Sequence, residues 1–335
     1  MAMSDMSIVV RSLRARLFST CVTVLSVGVA VALMLNLLAM RDASRRAFER
    51  GTGNMDMVVT AGGQSPLAGV LEAVYYARAP QKYLTWTAYS ERFASGDRRI
   101  EWALPVQQGD SYRGMPTMAV GPEFFTKFEP VVGEPFRFAQ GGPPAGTFDV
   151  VLGAIAARAT GARVGDSVAI THGTGAAGHS HDEHPYKVTA VLEPTGTAHD
   201  RAVFITLDST WIIHADEARA DAARKTGAAA AEPTPENLTD EERKITGVYL
   251  RCRDGRVVGQ VFAELRQDPA FTASLVQSEI RNLWGIVGSI DRIVVAIAAA
   301  VLVSSGIGIL LALYNSMEQR RRQIAVLRVL GASQP

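Results

Sequence analysis

Two uncharged apolar runs, set roughly 250 residues apart, constrain this chain more than any other feature. LFSTCVTVLSVGVAVALMLNLLAM runs from Leu17 to Met40, and IVVAIAAAVLVSSGIGILLALY from Ile293 to Tyr314. As helices, roughly 24 and 22 residues reach about 36 and 33 Å, enough to cross a hydrocarbon layer about 30 Å thick. The first run is longer than a signal-peptide core and no small-residue cleavage pattern follows it, so it reads as a retained anchor. The second lies far from the N-terminus, where a signal peptide cannot explain it.

Two spans put both ends on one side. Arg11, Arg14 and Arg16 precede the first run, and Arg320, Arg321, Arg322 and Arg328 follow the second. Basic residues favour the cytoplasmic side, so both ends are expected there. Arg41, Arg45, Arg46 and Arg50 sit at the outer end of the first run and oppose this, but long loops translocate largely regardless of charge. The chain divides into a basic amphipathic segment (1–16), two spans (17–40 and 293–314), an extracytoplasmic region (41–292) and a cytoplasmic tail (315–335). A net charge of +1 gives no reason to expect nucleic acid. Cys21 lies in a span and Cys252 outside, so no disulfide framework is expected.

The outer region reads as α+β. RDASRRAFERG continues the first helix and stops at Gly51. MDMVVTA reads as a strand, SPLAGVLEAVYYA as a helix, and YLTWTAYSERF, which alternates large apolar with small polar residues, as a strand. From Arg98 to about Leu207, Gly- and Pro-rich turns separate short strands, with one helix at AIAARATG. The Ala-rich, charged, Pro-containing stretch 216–243 reads as a mobile linker. ITGVYLRC, GRVVGQVFAELRQ and FTASLVQ then form a second β-α-β unit, and EIRNLWGIVGSIDR leads back into the second span. This predicts a split β-α-β subdomain (55–95 with 244–280) interrupted by a mainly β insertion (97–210), two separate sheets in one outer domain.

Four stretches together resemble the MacB and FtsX type of permease, the mechanotransmitting class of ABC transporters. SIVVRSLRARLFSTCVTVLSVGVAVAL (7–33) resembles the family's N-terminal basic segment and first span. FDVVLGAIAARATGARVGDSVAIT (148–171) and YKVTAVLEPTGTAHDRAVFITL (186–207) resemble successive outer-domain patterns. YNSMEQRRRQIAVLRVLGAS (314–333) resembles the element that meets the ATPase, with Gln323 and Val329 where the family usually has Glu and Ala. The resemblance implies four spans, and this sequence shows two of them. It also implies a bacterial inner-membrane location, a periplasmic domain, a nucleotide-binding ATPase partner, pairing with a second permease copy or a related one, and in some members an outer partner.

On that resemblance, Glu318, Arg321, Arg322, Ile324, Leu327, Arg328, Leu330 and Gly331 form the ATPase-coupling segment. A helical wheel puts Ile324, Val326, Leu327 and Leu330 on an apolar face and Glu318, Arg321, Arg322 and Arg328 opposite. From the residues alone, the same segment reads as a basic flank that fixes topology and nothing more. No GxxxxGK[ST] pattern occurs anywhere in the chain, so ATP and magnesium are assigned to the partner. There is no GxSxG or HExxH either, and no catalytic constellation is expected. Small residues at Ala300, Ser304, Gly308 and Ala312, and a shorter stripe of Gly28, Ala32 and Asn36, are spaced to let helix backbones approach, or are ordinary span composition. Three of the six histidines lie in GHSHDEHPY. His179, His181 and His184 suit a zinc ion completed by Asp182, Glu183 or His199, but a solvated turn is the preferred reading because structural zinc spacing is missing. A membrane-anchored sensor or metal-binding module is therefore the alternative to a permease.

Overall fold

The computed structural model describes residues 17–172, 184–227 and 231–329. They fall into two compact units: Arg45–Leu283, and the flanking segments from Trp284 onward and before Arg45. Helix α1 (Leu17–Arg50) runs without a break from the first apolar run into the outer unit and stops where Gly51 was expected to end it. Apolar stretches long enough to cross a membrane lie at Val27–Arg50 and Val295–Asn315. The first falls later in its helix than 17–40.

The outer unit begins with β1 (Met57–Ala61), whose five residues are all buried. Its two edges pair antiparallel with β13 (Gly247–Cys252) and β14 (Phe271–Ser274). Between those two strands, α7 (Gly255–Gln267) makes the crossover, so the second β-α-β unit stands with β1 inserted between its strands. Asp254 caps α7 by accepting from the Arg256 N–H at 2.9 Å, as an N-cap carboxylate should.

The expectation of two separate sheets is corrected. One sheet runs through both parts in the order β14-β1-β13-β3-β5-β11-β7-β10-β6. The strand responsible is β3 (Ile100–Gln107). It is long enough to pair with β13 along most of its length and, at its end, with β5 (Met115–Val120) through Val106–Val120 and Gln107–Ala119. The rest of the sheet comprises β11 (Val203–Thr206), β7 (Asp149–Leu152), β10 (Tyr186–Leu192) and the edge strand β6 (Phe138–Gly141). A short hairpin strand, β4 (Asp110–Tyr112), leaves the main path at β5.

Both faces of this sheet are covered. Successive strand residues point to opposite faces, so β11 sends Val203 and Ile205 into the main core and Phe204 to the other side. There Phe204 meets Phe124, Phe125 and Phe136, with ring centroids 5.4–5.8 Å apart. That spacing favours tilted and edge-on aromatic pairs.

Two local readings change. YLTWTAYSERF is not a strand beyond β2 (Leu84–Thr85). It continues as the helical turn α3 (Trp86–Tyr89) and a π-turn over Ser90–Ala94. Thr85 caps α3 by accepting from the Ala88 N–H, and Trp86, Tyr89 and Phe93 recur at helical spacing on the core side. The alternation of residue size concealed a period near 3.6. With β2 confined to a two-stranded sheet with β12 (Lys244–Ile245), the first β-α-β unit does not form.

The stretch 216–243 is not a free linker among the described residues. Helix α6 (Leu207–Thr226) occupies its first half, capped by Thr206 and ended by Gly227 in the left-handed region at φ 72°. The second half is tied down by Arg219, which donates to both Glu242 carboxylate oxygens at 2.7 and 2.8 Å and to the Asn237 carbonyl at 3.0 Å. Alanine gives that stretch helix propensity, and one guanidinium fastens the remainder.

Helix α5 (Ala154–Thr160) forms as read from AIAARATG, with Gly161 as its left-handed cap at φ 73°. The glycine before it, Gly153, carries a different constraint. A Cβ there would stand 2.5 Å from both the His199 and Asp200 carbonyl oxygens. Gly153→Ala is expected to destabilise the outer unit by about 2 kcal/mol or more, measured as a lowered urea midpoint, because backbone must move on one side or the other. An unchanged midpoint would show that the turn carrying those carbonyls yields freely.

Candidate functional site

Three features of the outer unit meet near the segment YYARAP, Tyr75–Pro80. The first is an anchor for the last turn of α1. Its carbonyls have no partners further along the helix, and the Tyr75 hydroxyl donates to the Phe48 carbonyl at 2.7 Å. The two rings lie 4.7 Å apart, and Arg50 forks onto Glu134 at 2.7 and 3.0 Å. Asn54 extends the attachment, donating to the Lys127 carbonyl and accepting from the Glu129 N–H. The second long helix, α8 (Val276–Val329), starts inside the same unit with Val276 and Ile280 in the core. Each long helix is thus built into the outer fold at one end by buried apolar or hydrogen-bonded groups.

The second feature is a buried histidine. His199 lies in a short 3-10 turn, Ala198–Arg201, and is 1% exposed. Its Nδ1 is 2.8 Å from the Tyr76 hydroxyl, and the rings of Phe128 and Phe136 stand 5.3 and 6.1 Å from it. Nε2 has no hydrogen-bond partner among the described residues. Burial lowers the imidazole pKa to about 3, so the ring is neutral at any physiological pH. The same burial raises the Tyr76 hydroxyl well above its ordinary value. Tyr76 itself sits at φ 54°, where a bulky residue is strained.

The third feature is a cleft of about 780 Å³, walled by the Tyr75–Pro80 segment, the β4–β5 hairpin and the turn TGTAHDR. Asp200 builds that turn. Its Oδ1 accepts from the Thr195 N–H and hydroxyl, both at 2.7 Å, and its Oδ2 from the Gly196 N–H at 2.9 Å.

The residues singled out from the sequence are placed as follows. Glu318, Arg321, Arg322, Ile324 and Arg328 lie on α8, with Arg322 3.9 Å from Glu318 one turn earlier. On a regular helix Ile324 is three residues before Leu327 and lies about 60° from it, at the edge of the apolar arc, next to Arg328 at the border of the charged one. Leu327 is helical, while Leu330 and Gly331 lie outside the described residues. Gly28, Ala32, Asn36, Ala300, Ser304 and Gly308 are all exposed, and nothing stands within 4 Å of a Cβ built on Gly28 or Gly308. The structure does not bring the two small-residue stripes together. Ala312 is helical.

His179 and His181, with Asp182 and Glu183, lie outside the described residues. His184 is stacked on Phe148 at 5.5 Å and stands 3.7 Å from an Asp216 carboxylate oxygen. His199 is corrected as a completing ligand, because it is sealed among aromatic rings and bonded to Tyr76. No group of three or more metal-ligating side chains occurs among the described residues. Zinc titrated into the full chain at micromolar protein is expected to give no saturable heat. One-site binding lost when His179, His181 and His184 become alanine would reverse that expectation.

Sequence reasoning missed the Phe48–Tyr75 anchor, the His199–Tyr76 pair and the cleft. Only the TGTAHD pattern hinted at them, since nothing in a one-dimensional reading reports a positive φ at Tyr76.

A family model, the MacB-like periplasmic core domain, matches residues 20–268. No curated protein matches the chain. Among solved structures, a domain of a presumed permease protein from Porphyromonas gingivalis aligns with 68% of this chain and 88% of its own, at 13% identity and a TM-score of 0.32.

Proposed function

The chain belongs to the family of the MacB-like periplasmic core domain, as a permease of the MacB and FtsX type, and from that premise we propose that it transmits force rather than performs chemistry. In this reading a separate ATPase closes on ATP and pushes the cytoplasmic end of α8. The push travels along the helix into the outer unit, which moves a substrate outside the inner membrane or regulates an outer partner. A second permease copy, or a related one, would complete the membrane part.

One observation carries this reading. Both long helices run without interruption from apolar segments into the outer unit, α1 ending at the Tyr75 and Glu134 anchors and α8 starting from Val276 and Ile280 in the core. A helix without a proline or glycine break transmits axial displacement with little loss, whereas a flexible linker would absorb it. Three glycines, Gly285, Gly306 and Gly308, lie in α8, yet the helix is continuous through them. The family domain is a transporter component, and the sequence holds no phosphate-cradling loop, so hydrolysis is assigned to the partner.

Reconstitution tests this. Adding the chain in lipid nanodiscs to its ATPase should stimulate ATP hydrolysis. Trapping the ATPase with a non-hydrolysable nucleotide should change hydrogen exchange around Tyr75 and Phe48. Absence of stimulation would exclude the ATPase pairing. Stimulation with unaltered exchange throughout the outer unit would exclude force transmission.

A further inference from the structure

We propose that the cleft beside Tyr75–Pro80 is a binding site for a small anionic amphiphile, with its acidic head on Arg201 and its apolar body along Tyr75, Ile155 and Pro116. The cleft, at about 780 Å³, falls within the range of roughly 300–1,000 Å³ typical of ligand pockets. It belongs wholly to the outer unit, so the proposal concerns what that unit holds and stands apart from how force reaches it.

The charge inside the cleft selects the ligand's sign. Asp200 lines it, but both its oxygens are spent on the backbone and hydroxyl of its own turn. Asp110 lines it too, with one carboxylate oxygen 3.4 Å from His214 Nε2. Arg78 is engaged at 2.9 Å by Glu72, whose side chain is almost fully buried. Arg201 differs from all of these. It is exposed, lines the cleft, and makes no hydrogen bond or ion pair among the described residues. A guanidinium offers paired N–H donors matched to phosphate or carboxylate oxygens, and beside an apolar wall such a contact is less screened than in open water.

The apolar body of the ligand follows from the apolar side chains that line the same cleft. Ile155 is 37% exposed at the start of α5, an aliphatic side chain directed into the cleft, and Pro116 and the half-buried Tyr75 ring continue the surface. Tyr76 holds the rim. Its positive φ accompanies a hydroxyl held 3.0 Å from Met118 Sδ and 2.8 Å from the Nδ1 of a histidine that is itself fixed among phenylalanines. Strained backbone that the surroundings hold in place occurs preferentially where a surface must be pre-shaped for a ligand. The anionic head could come from a membrane lipid or from a free amphiphile, since the chemistry is shared.

Octyl phosphate is a suitable probe, titrated by calorimetry into the full chain in nanodiscs of zwitterionic lipid. Saturable one-site binding is expected, weakened about tenfold or more by Arg201→Gln and partly restored by Arg201→Lys. Ile155→Ser should weaken it several-fold, and Arg158→Gln, an exposed arginine outside the cleft, should leave it unchanged. Octyltrimethylammonium should not bind. The proposal is overturned by non-saturable uptake, by equal binding of the cationic analogue, or by undiminished affinity in Arg201→Gln. Arg201 is exposed, so its variants should fold, and unchanged far-UV circular dichroism would establish that the loss is local. Adding phosphatidylglycerol to the disc then assigns the source. Competition identifies a bilayer lipid, and lack of it a free amphiphile, with the site supported either way. The ATPase measurements above do not enter this test, so the two proposals fail separately.

Discussion

Lowering the pH from 6.5 to 4.5 is expected to cost the outer unit about 2 kcal/mol through His199 alone. The imidazole pKa is lowered from 6.5 to about 3 by burial. Between those values the unfolded chain binds a proton that the folded chain refuses. Unfolding therefore becomes more favourable as pH falls, by about 1.4 kcal/mol per unit once the pH is well below 6.5, and above 6.5 the effect vanishes. Glu72, whose carboxyl burial raises above its ordinary value, acts in the opposite sense in this window, while the salt-bridged carboxylates titrate mainly below it. Asp97, held by the Arg99 guanidinium, and Glu242, held by Arg219, are both lowered to about 2. Their contributions are present above the ordinary carboxylate range and are lost only as pH falls from there toward 2. Tyr76, raised well above 10, stays neutral throughout. Urea melts of the full chain, followed by the fluorescence of Trp86, Trp102 and Trp211, would read the slope. His199→Gln keeps a side-chain hydrogen-bonding group for Tyr76 and removes the proton site, so its stability should no longer fall from pH 6.5 to 4.5. An equal slope in that variant would place the acid sensitivity elsewhere.

Why the sequence concealed this site is a matter of which forces leave a local trace. The periodic and punctuated elements were legible: α1 to Gly51, α5 with its glycine cap, the β13–α7–β14 crossover and the start of α8. Each is dictated by neighbours within a few residues. The continuous sheet was not legible, because it depends on the end of β3 meeting β5 through two residue pairs. Pairing partners leave no mark on either strand. Arg219 was unremarkable within an Ala-rich stretch, yet its contacts with Glu242 and Asn237 turn an apparent linker into an ordered arm. His199 shows the limit most clearly. In the sequence it is one of six histidines, grouped near a plausible metal loop, and only the rings of Phe204 and of three phenylalanines from the distant segment Phe124–Phe136 make it a buried neutral base. The TGTAHD pattern marked the right turn for reasons its residues do not state: Asp200 closes it, and Gly153 lets the neighbouring backbone approach.

Leu327→Asp is expected to abolish the stimulation of a partner ATPase while leaving membrane insertion intact. Leu327 is helical in α8 and lies beyond the apolar stretch Val295–Asn315, so a new carboxylate there adds no charge to the span. Its effect must come from whatever packs against the helix. At 3.6 residues per turn, Val326, Leu327 and Leu330 fall within about 100° of one another and Ile324 about 60° beyond Leu327, whereas Ala325 falls near the middle of the arc that holds Arg321, Arg322 and Arg328. If the apolar strip seats in a cleft of the ATPase, burying an unpaired carboxylate costs several kcal/mol by desolvation, enough to remove docking altogether. The position of Ala325, exposed on the opposite face, supplies the control. Ala325→Asp adds the same charge between Arg321 and Arg322, on the side that carries the basic residues, and should reduce stimulation far less. A basic flank that merely fixes topology predicts something else: both variants equally active, because neither alters the arginine count that sets orientation. Basal hydrolysis by the isolated ATPase, equal in both experiments, normalises the comparison. Stimulation retained in Leu327→Asp would remove the coupling role from this helix, and equal loss in both variants would show that charge, rather than an apolar seat, governs the contact.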